Sequence, residues 1–161
     1  MIKRILCNAS PLISLSKISR LHLLGDLFDE VLVPENAWNE AIRKPDSTTA
    51  ELMQFKSAGK LTVFKVQNRV AVSAMIGRLH IGEVEVIVGA EELGIQYVIL
   101  DDGYARSKAK QIGLSVTGTL GIFVAGRDAG IISDLDSDID RLIEIGFRIS
   151  KDVLEQVRNR I

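Results

Sequence analysis

Apolar positions along this chain switch repeatedly between short continuous runs and a helical spacing, which predicts strands followed by helices. Residues 2–7 form a first short strand ending at Cys7, before Asn8. Ser10 and Pro11 suit the cap and first position of a helix. Its apolar face runs through Leu12, Leu15 and Ile18 and continues past Arg20 as Leu21, Leu23, Leu24, Leu27 and Phe28. Residues 31–33 are a second strand, and Pro34 opens a helix with Ala37, Trp38, Ala41 and Ile42 inward. Glu40 lies on the border of that face. After Lys44-Pro45, Asp46 or Ser47 caps a helix to about Ser57, followed by a third strand over 61–66 and a helix over 70–79.

The stretch 82–106, GEVEVIVGAEELGIQYVILDDGYAR, organises the rest. On a wheel of about 100° per residue, Glu83 falls inside the apolar arc, in the first turn of a helix that Gly94 ends. Glu85, about 200° away, falls on the polar side with Glu92 and is expected in solvent. Tyr97-Val98-Ile99-Leu100 has no alternation and reads as a strand buried on both faces. Asp101 and Asp102 follow it directly. They can be the cap of the next helix, or part of a ligand site, since open α/β sheets bind ligands at the carboxyl ends of their strands. Asn8 has the same two readings, a turn residue or a site residue.

The helix over 104–112 turns Ala105, Ala109 and Ile112 inward and pairs Arg106 with Lys110 outside, near the acidic turn. A last strand spans 114–116, and Thr117-Gly118-Thr119 leads into an apolar helix over 120–129, closed by Gly130. The tail is polar over 133–140, then amphipathic, and ends in a basic helix with Lys151, Arg158 and Arg160. Strand-then-helix alternation predicts an α/β fold with a mainly parallel sheet of four or five strands.

Composition narrows the function. At 47% hydrophobic the chain can build a substantial core, and a net charge of −1 means that any polyanion site is a local patch. A single cysteine rules out an internal disulfide and a thiolate zinc site, and His22 and His80 lack spaced partners. No apolar stretch approaches a membrane span, and Met1-Ile-Lys-Arg does not open a signal peptide, so a cytoplasmic protein is expected. No GxGxxG follows the first strand, and there is no GxxxxGK[ST] and no nucleophile elbow.

With these residues in order, the chain resembles the PIN-domain superfamily, the fold of the toxin ribonucleases of VapBC-type systems. It is most similar to a PIN-like subgroup marked by Asn8-Ala-Ser-Pro-Leu-Ile, Val33-Pro34-Glu35 with Glu40, Gly82-Glu83-Val84-Glu85-Val86-Ile87, Leu100-Asp101-Asp102 and Thr117-Gly118-Thr119-Leu120-Gly121. The resemblance covers the whole chain. It implies one three-layer α/β/α domain over 1–161, with 132–161 as a C-terminal helical extension. It also implies acidic residues that hold Mg²⁺ or Mn²⁺ and hydrolyse RNA, a cognate antitoxin and a homodimer. By motif position Asn8 stands where such nucleases carry their first acidic ligand. Glu40 matches the second acid, Glu83 the third and Asp101 the fourth, with Asp102 beside it. Ser10 and Thr119 would support them, and Arg106 and Lys110 would meet RNA. Asn8 removes one negative charge from the set, so a non-catalytic RNA- or partner-binding protein is the alternative.

Overall fold

The apolar runs pair as parallel strands: β1 (Arg4–Cys7), β2 (Glu30–Pro34), β3 (Thr62–Phe64), β4 (Tyr97–Ile99) and β5 (Ser115–Thr117). They form one five-stranded sheet in the order β3-β2-β1-β4-β5. The structure is a computed structural model that describes residues 3–159; Ile2 of the first expected strand and Arg160 of the basic tail lie outside the described residues. Between the strands run α1 (Ala9–Lys17), α2 (His22–Leu27), α3 (Glu35–Ala41), α4 (Ser47–Ser57), α5 (Arg69–Met75), α6 (Ile81–Leu93) and α7 (Gly103–Gln111). After β5 come α8 (Thr119–Asp128), α9 (Leu135–Glu144) and α10 (Lys151–Arg158).

Successive strand residues point to opposite faces, and the two faces build two cores. Ile5, Cys7, Val31, Val33 and Ile99 pack with Leu12, Leu15, Leu52, Phe123 and Ile139. Leu6, Leu32, Val98 and Leu100 pack on the other side with Val84, Ile87 and Val88 of α6 and Ala105 of α7. The result is the expected three-layer α/β/α sandwich with an all-parallel sheet. Val157 of α10 and Leu135, Ile139 and Leu142 of α9 join the first core, so the last two helices are packed onto the sheet layer. No helix among the described residues is long and apolar enough to cross a membrane.

Several local expectations change. Glu85 is buried, at 1% exposure, because α6 is not a surface helix: Gly82 to Ala90 are all buried, with α3 and α5 packed on its outer side. A helical wheel has no account of that outer layer. The helix expected over 70–79 ends at Met75, and Ile76 and Leu79 form an isolated bridge instead. Ser10 does not cap α1, which begins at Ala9. Asp46, not Ser47, caps α4 by accepting the Thr49 amide at 3.0 Å. Ile112, beyond the end of α7, is 47% exposed rather than inward.

The polar stretch 133–140 hides the start of α9, whose Leu135, Ile139 and Leu142 keep helical spacing. Asp138, between them, is fully buried. Both its oxygens accept from Arg20 Nε at 3.1 Å, and Arg141 approaches at 3.5 Å.

Candidate active site

The chain lays β2 and β3 on one side of β1, then returns to place β4 and β5 on the other. Such a reversal opens a crevice at the carboxyl ends of the two central strands. Asn8 leaves β1 there, and Leu100-Asp101-Asp102 leave β4. The Asn8 amide donates to Ile99 O at 3.2 Å, holding the two exits together.

Asn8 occupies the cap position of α1 with an extended backbone, yet its side chain makes no capping bond. It is 8% exposed, and its Oδ1 has no hydrogen-bond partner. Asn8 is thus not a turn residue stabilised by its own side chain. An orphaned buried carbonyl oxygen costs about 1–3 kcal/mol, and a native chain that keeps one leaves room for something to bind it. Gly82 makes that room. A Cβ added there would meet Asn8 Oδ1 at 3.1 Å and Glu40 Oε2 at 3.5 Å, so both oxygens flank one point above the start of α6.

Glu83, Asp101 and Asp102 are each committed to a protein donor. Glu83, 5% exposed, accepts the His80 amide at 3.0 Å through Oε1. Asp101 is the most heavily bonded: Thr119 donates its amide at 2.8 Å and its hydroxyl at 2.7 Å, and Ser10 donates its hydroxyl at 3.3 Å. Asp102 caps α7, accepting the Ala105 amide at 2.9 Å. Glu40, on α3, is exposed at the rim. These residues line one cleft of about 510 Å³ with Ser10, Ser14, Lys17, His80, Phe147 and Arg148.

Burial pushes the Glu83 carboxyl above its ordinary range, the His80 amide opposes that, and the negative charges of Asp102 and Glu40 add to the rise. The folded carboxyl thus keeps its proton to higher pH than the unfolded one. Stability is gained as pH falls through the raised value and lost as pH rises through it. Glu83→Gln keeps an acceptor for His80 and removes the charge. It should raise the metal-free melting point near neutral pH, by about 0.5–2 kcal/mol of stability, and the gain should shrink as pH falls. A melting series from pH 4 to pH 8 checks this; equal melting points throughout would mean that the Glu83 charge is not strained. The Cys7 thiol is also raised, well above its usual value, by burial first and by Asp101 second, which leaves it inert as a nucleophile.

The donors suit a hard divalent cation in kind, being all oxygens with one already unpartnered. As they stand, no three His, Cys, Asp or Glu side chains among the described residues are gathered closely enough to hold one. The hydrogen bonds explain the spread, since Glu83, Asp101 and Asp102 are each turned toward a backbone amide.

The basic pair named from the sequence is divided. Arg106 folds back to donate to Leu100 O at 3.0 Å and lies beside Asp101, both close to the point where a side chain at Gly118 would begin. Lys110 is exposed. Two other cations, Lys17 and Arg148, line the acidic cleft itself. Lys17 had a signal, because Ser10, Ser14 and Lys17 recur at helical spacing from the strand end. Arg148 had none, because only the packing of α9 and α10 brings its loop across the cleft.

A family model described as a PIN domain matches residues 4–161, that is, the sheet, the cleft and both final helices. A search of curated proteins finds no match. The match takes in nearly every residue of the chain: this protein belongs to the PIN-domain family.

Proposed function

We propose that this protein is a metal-dependent endoribonuclease that hydrolyses RNA phosphodiester bonds, of the VapC toxin type, working with a cognate antitoxin and as a homodimer. PIN domains are commonly nucleases. The observation that carries the reading is the orphaned Asn8 Oδ1 in a cleft it shares with Glu40, Glu83, Asp101 and Asp102. Asn8, Glu83 and Asp101, with Glu40 or Asp102, would hold Mg²⁺ or Mn²⁺. When bound, such a cation supplies charge neutralisation at the scissile phosphate. Lys17 and Arg148 bind the flanking phosphates from the cleft wall, Arg106 adds its charge from the adjoining hollow, and Lys110 stands exposed further along the same helix. Ser10 and Thr119 hold Asp101 in place for its part.

A second reading keeps the same cleft without hydrolysis, as a module that binds RNA or a protein. What favours it is the amide of Asn8, which lacks the charge of a carboxylate, together with acids that are already engaged by protein donors.

Asn8→Asp tests both. It places a charge where the lone oxygen now sits, and should tighten Mn²⁺ or Mg²⁺ binding roughly tenfold or more. It should also cost the metal-free protein about 1–3 kcal/mol, as a buried unpaired carboxylate among others. Metal titration of thermal stability reads both effects, and cleavage of a mixed RNA pool reads activity. No stabilisation by metal and no cleavage in either protein would remove the nuclease reading; stabilisation without cleavage would leave the binding module.

A further inference from the structure

We infer that Glu85 is a positioning residue, which caps α3 from outside that helix and so sets Glu40 at the mouth of the cleft. The start of a helix leaves backbone amides without partners, and a side-chain oxygen at the cap usually takes one of them. In α3 that cap position is Pro34, whose side chain makes no such bond. Glu85 reaches across from α6 to supply the acceptor. Its Oε1 takes the Asn36 amide at 3.2 Å, and its Oε2 takes Asn36 Nδ2 at 2.8 Å.

The same oxygen that holds the Asn36 side chain also accepts Arg69 Nη1 at 2.7 Å, which ties in α5. A carboxylate with 1% of its side chain exposed is costly to bury, and an apolar pair of similar size often does as well for stability alone. A fixed negative charge at the positive end of α3 does what an apolar pair cannot. The helix needs it, because seven residues do not hold a helix by themselves.

The geometry carries the effect to the cleft. Asn36 and Glu40 are four positions apart, one turn along the same face. Fixing the first therefore fixes the height and rotation of the second, whose Oε2 lies beside Gly82. One helix, α6, thus carries Glu83 into the cleft and, two residues on, grips the helix that carries Glu40.

The test combines hydrogen exchange, which needs no activity, with metal titration, which rests on the proposed metal centre. In Glu85→Ala, amide protection from Asn36 to Ala41 should fall about tenfold or more, while β1 and β4 keep theirs. The metal concentration for half-maximal stabilisation should rise about tenfold. In a Glu40→Ala background, Glu85→Ala should add no further rise, because its effect on metal runs through Glu40. Glu85→Gln, which keeps one oxygen for the Asn36 amide but loses the charge and the second acceptor, should recover part of the protection.

Unchanged protection in α3, or metal effects that multiply in the double mutant, would overturn the inference. Should Glu85→Ala not fold, Glu85→Gln and Asn36→Ala carry the same comparisons, with a smaller loss of protection expected from each. A wild type that metal does not stabilise sinks the metal centre, while the exchange data still decide the capping.

Discussion

Asp101→Ala should abolish cleavage, by at least about a hundredfold, and also destabilise the fold by about 2–4 kcal/mol. The two losses have one origin. Asp101 joins three segments, taking the amide and hydroxyl of Thr119 at the start of α8 and the hydroxyl of Ser10 in α1. Thr119 is fully buried, so truncation strands an amide and a hydroxyl where water does not replace the lost acceptor. Thr119→Val separates the roles. It removes one bond and leaves the carboxylate, so it should cost about 1 kcal/mol and retain most of the cleavage. Denaturant titration and RNA cleavage on the three proteins decide it. An Asp101→Ala protein as stable as wild type would refute the anchoring role, and one that cleaves like wild type would place the chemistry elsewhere.

Asp138→Ala should destabilise the protein by about 3 kcal/mol without touching the cleft. The carboxylate is fully buried, and both oxygens accept from Arg20 Nε, which binds α9 to the turn between α1 and α2. Its removal leaves Arg20 facing a vacated pocket. The loss falls at the lower end for breaking a buried pair, because 29% of the Arg20 side chain is already exposed. Arg20→Met with Asp138→Leu should recover most of that stability, since an apolar pair escapes the desolvation cost. Urea unfolding measures both variants; a single mutant within about 0.5 kcal/mol of wild type would show that the pair holds nothing.

Local periodicity carried much of the architecture. The apolar runs lie at the five strands, and helix α6, closed by Gly94 with φ +65°, was legible from its pattern and its terminal glycine. The acidic residues at strand ends were legible too, because the topology of a parallel sheet brings those ends to one edge. What stayed hidden depends on layers beyond the sheet. Glu85 sits at a position that a single helix presents as polar and is buried because α3 and α5 cover it, whereas Asp138 shares the apolar face of α9 with Leu135 and Leu142 inside a stretch that reads as polar. Arg106 reads as half of an outward pair, yet its length lets it turn back to the Leu100 carbonyl. Arg148 enters the cleft from a loop far along the chain, and no spacing in the sequence links it to Asn8.

The insertion of β4 beside β1 also sets when the cleft can be completed. Asp101 and Ser10, which bond to each other, are 91 positions apart. As a nascent chain leaves the ribosome, β1, β2 and β3 can pair while the other edge of β1 waits for a strand not yet made. Asn8 and Glu40 are then present without Asp101 and Asp102. The charges meet only when the fourth strand docks. A cleft built this way stays incomplete until synthesis is well past its midpoint, and an N-terminal fragment that stops before the fourth strand lacks both Asp101 and Asp102.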